Sequence, residues 1–372
     1  MIDNGSGYIK AGFSGEDSPR IVIPTAVGSQ QPSEPGKPLI KKIGNDLDLR
    51  MPTYPVSFPI DRGVIKDSEQ DWEHVVKLWE YVFRELEQEP STCNVLLTDA
   101  PRNTRENRMR MTEIMFTRFR VQSLGICSTS VLALFSTGRT RGVVVDVGDG
   151  LTSAVPVFEG YALPHAIRIG NIAGKDVTDI ILNSLLPDIQ PTQLDLARKI
   201  KEQMVVVPAN YEEALTGPSL LSEEMRSFEL PGERIIQINK KAQLDAAEVL
   251  FNPAVVGLAE KSVPQLALES ILKCDNDLRN NLFANIVLAG GTTMMAGFVE
   301  RFEQEILSDL PPEILRSDVH IAADSFREHA AWIGGSMLAS LETWSKYMTI
   351  TKDSWDNTEP DKRPSLVQKI SF

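Results

Sequence analysis

Two glycine-rich turns of the same design constrain the fold of this chain more than any other feature. The first follows Asp3 within residues 3–13, and the second follows Asp146 within residues 143–152. In each turn an Asp closes a strand, glycines follow, and β-type residues continue the chain. Glycine lets backbone N–H groups approach phosphate oxygens, and successive N–H groups form anion-binding nests. The repeat predicts two related lobes that face each other across one polyphosphate.

One such turn alone would be a weak signal, because Asn-Gly and Asp-Gly are ordinary hairpin dipeptides. The pair is a much stronger signal, and a third glycine turn at residues 289–293 strengthens it. The carboxylates of Asp3 and Asp146 are predicted to hold Mg²⁺ through its waters, because Mg²⁺ dehydrates reluctantly.

Length and charge exclude several classes of protein. A chain of 372 residues is long for one core, so two or more domains are expected. The net charge of −13 argues against direct binding to nucleic acid, whose phosphates would repel the chain. Cys93, Cys127 and Cys274 are too widely spaced for a disulfide framework or a zinc site and fit a reducing compartment. No stretch has the length of a membrane span and no signal peptide is recognised, so we expect an intracellular protein.

The order of elements predicts an α/β fold. Helical spacing at residues 71–86 and a short apolar strand at 94–99 precede the second phosphate turn, which a strand at 142–145 feeds. A strand at 284–289 leads to the third glycine turn, and a helix is expected over 295–307. Residues 348–372, rich in Ser, Asp, Thr and Pro, are expected to form a peripheral tail. The first strand begins almost at Met1, so either it is unusually short or a few residues precede it.

Five motifs spread along the chain resemble the actin family. They lie at residues 2–7, 160–166, 273–279, 290–294 and 332–336, in order and at near-constant spacing. The resemblance covers almost the entire chain and implies an actin-like ATPase fold, α/β, with two lobes of duplicated β-sheet and helix cores around a nucleotide cleft. It implies a first lobe of residues 1–136 and 330–372, with 29–57 as a small inserted subdomain. The second lobe would be residues 137–329, with a helical insertion at about 174–260.

The resemblance also implies site residues for ATP or ADP with Mg²⁺. The metal would be held through Asp3 and Asp146. Lys10 should neutralise phosphate charge, Lys201 and Glu202 match positions beside adenine and ribose, and the third glycine turn should line the nucleoside. The residues implied to bind nucleotide are Gly5, Ser6, Gly7, Tyr8, Lys10, Gly148, Asp149, Gly150, Gly174, Lys201, Glu202, Gly291, Thr292 and Met294.

The departures from the family pattern concern hydrolysis first. Thr129 stands where actins carry a glutamine that positions the attacking water, and Ser153 stands where they carry a histidine that helps relay the proton. Neither hydroxyl is a competent base near pH 7. Phosphoryl transfer depends on positioning and electrostatics, so we expect hydrolysis to be impaired and binding to survive. The alternative is that other groups hold the water and slow hydrolysis persists.

Further departures concern the base site and the surface. Glu328 replaces a lysine beside the adenine, which would loosen the base site or relax its preference for adenine. Arg62 replaces a histidine that is often methylated in conventional actins. The loop after Gly28 is shorter than in actins, where it inserts into the next filament subunit. The C-terminal residues also lack the usual cysteine before Phe372.

Three functions remain open on the sequence. The favoured one is a filament or minifilament former in the cytoplasmic cytoskeleton, similar to the dynactin filament subunit, in which nucleotide state sets subunit contacts. Its partners would be further copies, other actin-family subunits, or actin-binding and dynactin-type proteins. The second is a non-polymerising, ATP-bound scaffold of a larger complex, dynactin-like or chromatin-remodelling, for which a nuclear location is the alternative. A sugar kinase or chaperone ATPase ranks far lower, because the motifs at 160–166 and 332–336 belong to the actin branch.

Overall fold

A computed structural model describes residues 1–32, 37–49, 53–185, 193–217, 227–230 and 234–369 of the chain. Within these ranges the protein is α/β, as the order of elements predicted. No helix in the described ranges is long and apolar enough to cross a membrane.

The strands in chain order are β1 Ile2–Asn4, β2 Tyr8–Ala11, β3 Ile21–Pro24, β4 Val27–Gln30, β5 Ile40–Lys42, β6 Val56–Ser57, β7 Ile60–Asp61, β8 Val64–Ile65, β9 Asn94–Asp99, β10 Ser123–Ser128, β11 Gly142–Val147, β12 Thr152–Phe158, β13 Tyr161–Ala162, β14 Arg168–Gly170, β15 Ser227–Leu230, β16 Arg234–Gln237, β17 Ile286–Ala289, β18 Ile321–Ala322 and β19 Ile350–Thr351.

The α-helices are α1 Glu69–Glu85, α2 Arg105–Ile114, α3 Thr129–Phe135, α4 Gly174–Ser184, α5 Leu194–Met204, α6 Tyr211–Thr216, α7 Lys240–Glu248, α8 Val263–Lys273, α9 Asn276–Phe283, α10 Phe298–Ser308, α11 Ala330–Ala339, α12 Glu342–Tyr347, α13 Lys352–Asp356 and α14 Arg363–Lys369.

Two sheets repeat one topology, which is the duplication that the glycine turns predicted. The first sheet has the order β19-β10-β9-β1-β2-β3, and the second has the order β13-β12-β11-β17-β18 with β14 also on β12. In the first, the antiparallel hairpin β1–β2 lies beside the parallel strands β9 and β10. In the second, the antiparallel hairpin β11–β12 lies beside the parallel strands β17 and β18. Each sheet is the centre of one lobe.

Helix α1 shows why these residues form the first lobe. Ser68 caps it by accepting a hydrogen bond from the Asp71 N–H, and the apolar positions then recur at helical spacing. Trp72 and Trp79 lie on the buried face, and Trp79 is fully buried. The observed helix begins two residues before the predicted start and ends one residue earlier. The Nε1–H of Trp79 donates a hydrogen bond to Asn4 Oδ1 at 2.9 Å, which ties α1 to the end of β1.

Each lobe has its own apolar core, and a third cluster joins them. The joining cluster includes Leu96 and Cys127 from the first sheet and Val144 and Val287 from the second. Helices α3 and α11 also pack backbone to backbone here, since a Cβ on Gly334 would lie 1.8 Å from the Leu132 carbonyl oxygen. The floor of the cleft between the lobes is therefore close-packed.

The two insertions differ in how much of them the structure describes. Within the described part of 29–57, strands β4, β5 and β6 form a small sheet in the order β5-β4-β6, and Ala26, Leu47 and Leu49 form a minor core under it. Within 174–260, α4, α5, α6 and α7 accompany the hairpin β15–β16. Residues 33–36, 50–52, 186–192, 218–226 and 231–233 lie outside the described residues.

The expectation of a peripheral C-terminal tail is wrong for its described part. Strand β19 joins the edge of the first sheet, and α13 and α14 pack onto the same lobe. Trp355 is buried and stacks on Phe116 with ring centroids 5.2 Å apart, and the Arg363 guanidinium lies 4.5 Å from the centroid of the Trp355 ring. The polar composition of the segment does not reveal the few large side chains that anchor it. Burial of one Trp contributes more to the stability of the fold than many exposed polar residues.

Candidate functional site

The carboxyl ends of several strands converge on one cavity of about 490 Å³ between the lobes. Parallel strands bring their carboxyl ends to a common edge, where ligands of such folds bind. The residues that follow β1, β9, β10, β11 and β17 all line this cavity: Gly5, Ala100, Thr129, Gly148 and Gly290. The cavity is within the size range of small-molecule sites.

The two predicted phosphate turns touch each other at this edge. A Cβ on Gly7 would lie 2.7 Å from the Asp149 Cβ, and one on Gly150 would lie 2.7 Å from the Ser6 Oγ. Ser6 Oγ also accepts a hydrogen bond from the Gly63 N–H at 2.9 Å. A side chain at position 7 or 150 would collide with Asp149 or Ser6 of the facing turn, so the close approach of the two turns favours glycine here.

The second turn is fixed from behind by the third glycine turn. The Gly148 carbonyl accepts hydrogen bonds from the Thr292 hydroxyl at 2.7 Å and from the Gly174 N–H at 3.0 Å. Gly174 begins α4, and a Cβ there would lie 2.4 Å from the Thr292 Oγ1. Gly174 therefore supports the turn, while the other residues implied to bind nucleotide line the cavity itself.

Two carboxylates face the cavity from equivalent positions of the two hairpins. Asp3 pairs with Lys10 across β1–β2, and Asp146 pairs with Ser153 across β11–β12. Asp3 is buried and accepts a hydrogen bond from the Thr98 hydroxyl at 2.8 Å. Lys10 Nζ lies 3.8 Å from Asp3 Oδ2. Burial, reinforced by the charge of Asp3 and opposed by Lys10, raises the pKa of Asp146 to about 6.

These carboxylates fit a divalent cation that is held mainly by other ligands. Among the described residues, no three His, Cys, Asp or Glu side chains converge into a complete metal site. The raised pKa of Asp146 indicates that its partly buried negative charge is not fully offset by Lys10. A Mg²⁺ ion carried in by a polyphosphate, keeping several of its waters, would supply that compensation.

Two cationic side chains of α5 lie beside the second glycine turn, which contains Asp149. Arg198 is buried, with its Nη2 3.0 Å from Asp149 Oδ2, and its guanidinium lies 5.7 Å from the ring of Tyr8. Lys201 Nζ donates to the Gly174 carbonyl at 3.2 Å, and burial lowers its pKa. The positive charge of both side chains lies close to the phosphate turns, where it favours an anion.

The two substituted positions also lie in the cavity. Thr129 is the first residue of α3, and Ser153 is buried on β12. The residues that line the cavity also include His329, which the sequence analysis did not single out. Its Nδ1 is buried and has no hydrogen-bond partner within the described residues. Burial lowers the pKa of His329, and the charge of Lys10 acts in the same direction.

A further group of lining residues is here named the base end, because Lys201 and Glu202 are expected beside the base and ribose. It is lined by Lys201, Glu202, Met294, Met295, Arg327 and Glu328. The Arg327 guanidinium is occupied, because it donates to the Thr293 hydroxyl at 3.0 Å and to the Thr293 and Asp324 carbonyls at 2.9 Å each. The Glu328 carbonyl accepts a hydrogen bond from Lys10 Nζ, which links the base end to the carboxylate pair.

Polar contacts also cross the mouth of the cleft beside the phosphate turns. Arg62 forms a bidentate ion pair with Asp176 and donates to the Asn171 carbonyl. Arg102 Nη1 donates to Asn171 Oδ1 at 2.7 Å, and Lys175 Nζ lies 3.2 Å from Asp61 Oδ1. In the sequence, Arg62 stands out only as a departure from the family pattern.

Some residues that line the cavity had a signal in the sequence that went unused. Arg198 precedes Lys201 by three residues on a helix, so the two side chains share a face. Gly63, which follows Arg62, closes the phosphate end against Ala100 and Leu151. The contacts of Arg62 with Asp176 and of Arg102 with Asn171 are not visible in a linear pattern, because the partners are separated by long stretches of chain.

The comparison with protein families agrees with this architecture. The family model described as Actin matches residues 1–194 and 188–369, which together span almost the whole chain. The match includes both hairpins with their turns, the third glycine turn and all residues that line the cavity. With two sheets of the same topology around one cleft, the chain belongs to the actin family.

Proposed function

We propose that this protein binds ATP, or ADP, with Mg²⁺ in the cleft between its lobes. The observation that carries the proposal is the contact between the two glycine turns, where Gly7 meets Asp149 and Ser6 meets Gly150. Backbone N–H groups from both lobes would surround one polyphosphate there, with Lys10, Arg198 and Lys201 supplying positive charge.

The metal would be held by the two hairpin carboxylates. Asp3 and Asp146 are the acceptors for its water ligands, and Thr98 orients Asp3 through its hydroxyl. When bound, Mg²⁺ neutralises phosphate charge and orients the phosphoryl group. Lys10 lies between Asp3 and the Glu328 carbonyl, so its ammonium can reach a phosphate oxygen without leaving the cleft floor.

Hydrolysis in this cleft should be slow. Thr129 and Ser153 line the cavity, yet neither side chain is long or basic enough to hold a water and take its proton. Phosphoryl transfer relies on a positioned nucleophile, so its rate depends directly on such side chains. The protein would therefore bind nucleotide more effectively than it turns it over.

We further propose that the protein forms or joins a cytoskeletal filament or minifilament in the cytoplasm, with nucleotide state setting the subunit contacts. Family membership supports association with copies of itself or with other actin-family subunits. Nucleotide state can act on such contacts because the bound polyphosphate would join two lobes whose relative position shapes the outer surface.

A second function is favoured by the residues at positions 129 and 153. A ligand that binds the folded state stabilises it by mass action and has no need to be hydrolysed. ATP would then be a structural cofactor of a non-polymerising scaffold subunit, in a dynactin-like or a chromatin-remodelling complex. The second of these complexes would place the protein in the nucleus.

Sedimentation and negative-stain microscopy across a concentration series in Mg-ATP separate these functions. Filaments above a critical concentration would support the polymer. A monomer at every concentration would contradict it and favour the scaffold. Equilibrium dialysis with radiolabelled ATP on the same preparation tests binding independently, and failure to bind nucleotide would overturn the shared premise of both functions.

A further inference from the structure

The base end of the cleft presents two carboxylates as hydrogen-bond acceptors. Glu202 and Glu328 both line it, and neither carboxylate takes part in a hydrogen bond within the described part of the chain. Half of the Glu328 side chain is exposed, at 50%, and the His329 Nε2 lies 3.9 Å from its Oε1. Both carboxylates are therefore free to turn toward a ligand.

The carboxylates of Glu202 and Glu328 also interact electrostatically. Partial burial raises the pKa of Glu202, Lys201 and Arg198 oppose that shift, and Asp195 and Glu328 reinforce it. The negative charge of Glu328 therefore acts on Glu202, which also lines the base end.

The cations that line the base end donate hydrogen bonds to other parts of the protein. Lys201 Nζ is buried and donates to the Gly174 carbonyl. Arg327 directs its guanidinium to Thr293 and Asp324. The remaining lining, Met294 and Met295, offers soft apolar surface on which a flat ring can pack.

A rim of carboxylates discriminates between purines by their donors. Ionised carboxylates accept hydrogen bonds and donate none, and one carboxylate can accept two parallel bonds. Guanine carries adjacent N1–H and N2–H donors on its Watson–Crick edge. Adenine carries a single amino donor flanked by ring nitrogens that are acceptors, which a carboxylate repels.

On this basis we propose that the base end of the cleft binds guanine nucleotides at least as tightly as adenine nucleotides, and that Glu328 decides the preference. The inference rests on the proposed function of the cleft as a nucleotide site and names the class of base that it takes. The phosphate turns and metal carboxylates treat both nucleotides alike, so the difference in affinity comes from the base end alone.

The test is a pair of competition titrations on the full-length protein, in which unlabelled GTP or ATP displaces radiolabelled ATP in the presence of Mg²⁺. The expected Kd for GTP is equal to or lower than that for ATP. In Glu328→Lys, which turns an acceptor into a donor, the ratio of the GTP Kd to the ATP Kd should rise at least tenfold. Glu303→Lys makes the same charge change on the exposed side of α10 and should leave the ratio unchanged.

Each outcome bears on a separate statement. A wild-type Kd for GTP above that for ATP overturns the inference while leaving the nucleotide site intact. A ratio unchanged by Glu328→Lys overturns the role of Glu328. If neither nucleotide binds, both the inference and the proposed function fail. Thermal unfolding of each variant without nucleotide verifies that a lost affinity does not reflect a misfolded chain.

Discussion

Arg62 of the first lobe holds Asp176 of the second through two parallel hydrogen bonds, Nη1 to Oδ2 at 2.7 Å and Nη2 to Oδ1 at 2.8 Å. The pair is only partly exposed, with side-chain exposures of 26% and 20%. Bidentate pairs of this kind are stronger and more directional than single ion pairs. Because the backbone of Arg62 also touches the second phosphate turn near Gly150, the pair closes the cleft at its phosphate end.

Removing this closure should speed nucleotide release. In Arg62→Ala we expect bound radiolabelled ATP to dissociate about tenfold faster, equivalent to about 1.4 kcal/mol, and the wild-type rate should rise with salt as the ion pair is screened. Asp176 is the poorer choice for mutation, since it also accepts a hydrogen bond from the Ala173 N–H at the start of α4. Arg118→Ala breaks pairs within one lobe and serves as the control. Equal release rates in the two variants would contradict the closure.

A methyl group at position 7 should destabilise the closed form of the protein. Its Cβ would lie 2.7 Å from the Asp149 Cβ, so the two turns must separate. We expect Gly7→Ala to lower the free energy of unfolding by about 1–3 kcal/mol. Gly291→Ala lies in the same cavity with nothing within 4 Å of the added Cβ, so it should be neutral in thermal unfolding without nucleotide. Similar melting temperatures for both variants would show that the turns tolerate the extra volume.

Stability should fall at mildly acidic pH because of one contact between the small inserted subdomain and α1. Lys41 Nζ lies 3.0 Å from the Nε2 of His74, which is buried. An ammonium can only donate, so Nε2 accepts and the neutral ring carries its proton on Nδ1. Burial lowers the pKa of His74, Lys41 lowers it further, and Asp71 and Glu73 oppose this.

The direction of this pH dependence follows because the pKa of His74 in the folded protein lies below its unfolded value of about 6.5. As pH falls below that value the unfolded chain binds the extra proton first, so stability is full above about pH 6.5 and is lost below it, by at most about 1.4 kcal/mol per pH unit. Urea unfolding at several pH values measures this slope. His74→Gln should flatten it, whereas the exposed His165→Gln should not. A slope unchanged in His74→Gln would place the acid sensitivity elsewhere.

Binding of Mg²⁺ should weaken in acid through Asp146. Its pKa of about 6 means that a proton competes with the metal below that pH. We expect Mg²⁺ affinity of the nucleotide complex to fall up to about tenfold per pH unit below pH 6. Phosphate titrates with a second pKa of about 6 as well, so the informative quantity is the difference between wild type and Asp146→Asn in isothermal titration. Parallel pH profiles for the two proteins would exclude titration of Asp146 as the cause of the weaker binding.

Longer polar side chains introduced at positions 129 and 153 should speed the hydrolysis of ATP. Thr129→Gln with Ser153→His would supply a group to position water and a base to take its proton. We expect phosphate release to rise at least tenfold, while Thr129→Ala, which removes the hydroxyl and a methyl group and supplies no base, stays near the wild-type rate. A double variant that binds ATP but releases phosphate no faster would indicate that another residue limits hydrolysis.

Local patterns predicted the elements that carry the site. The strand at 94–99 is confirmed at its predicted bounds, and α1 and the strand before the second phosphate turn lie within a few residues of theirs. Apolar periodicity and glycine turns are short-range signals, so they survive in a linear reading. The described part of the C-terminal segment was misjudged, because the burial of Trp355 against Phe116 depends on a partner far away in the chain.

The sequence by itself determined the two glycine-turn hairpins, the positions of Asp3 and Asp146 beside those turns, and the family. Each of these features is carried by short runs of contiguous residues. Only the tertiary structure decided that Gly7 meets Asp149, that Arg62 pairs with Asp176, and that Lys201 is committed to the Gly174 carbonyl. These contacts join residues separated by long stretches of chain. Their distances are set by how two separately folded lobes pack on the shared core of α3 and α11, which no local pattern encodes.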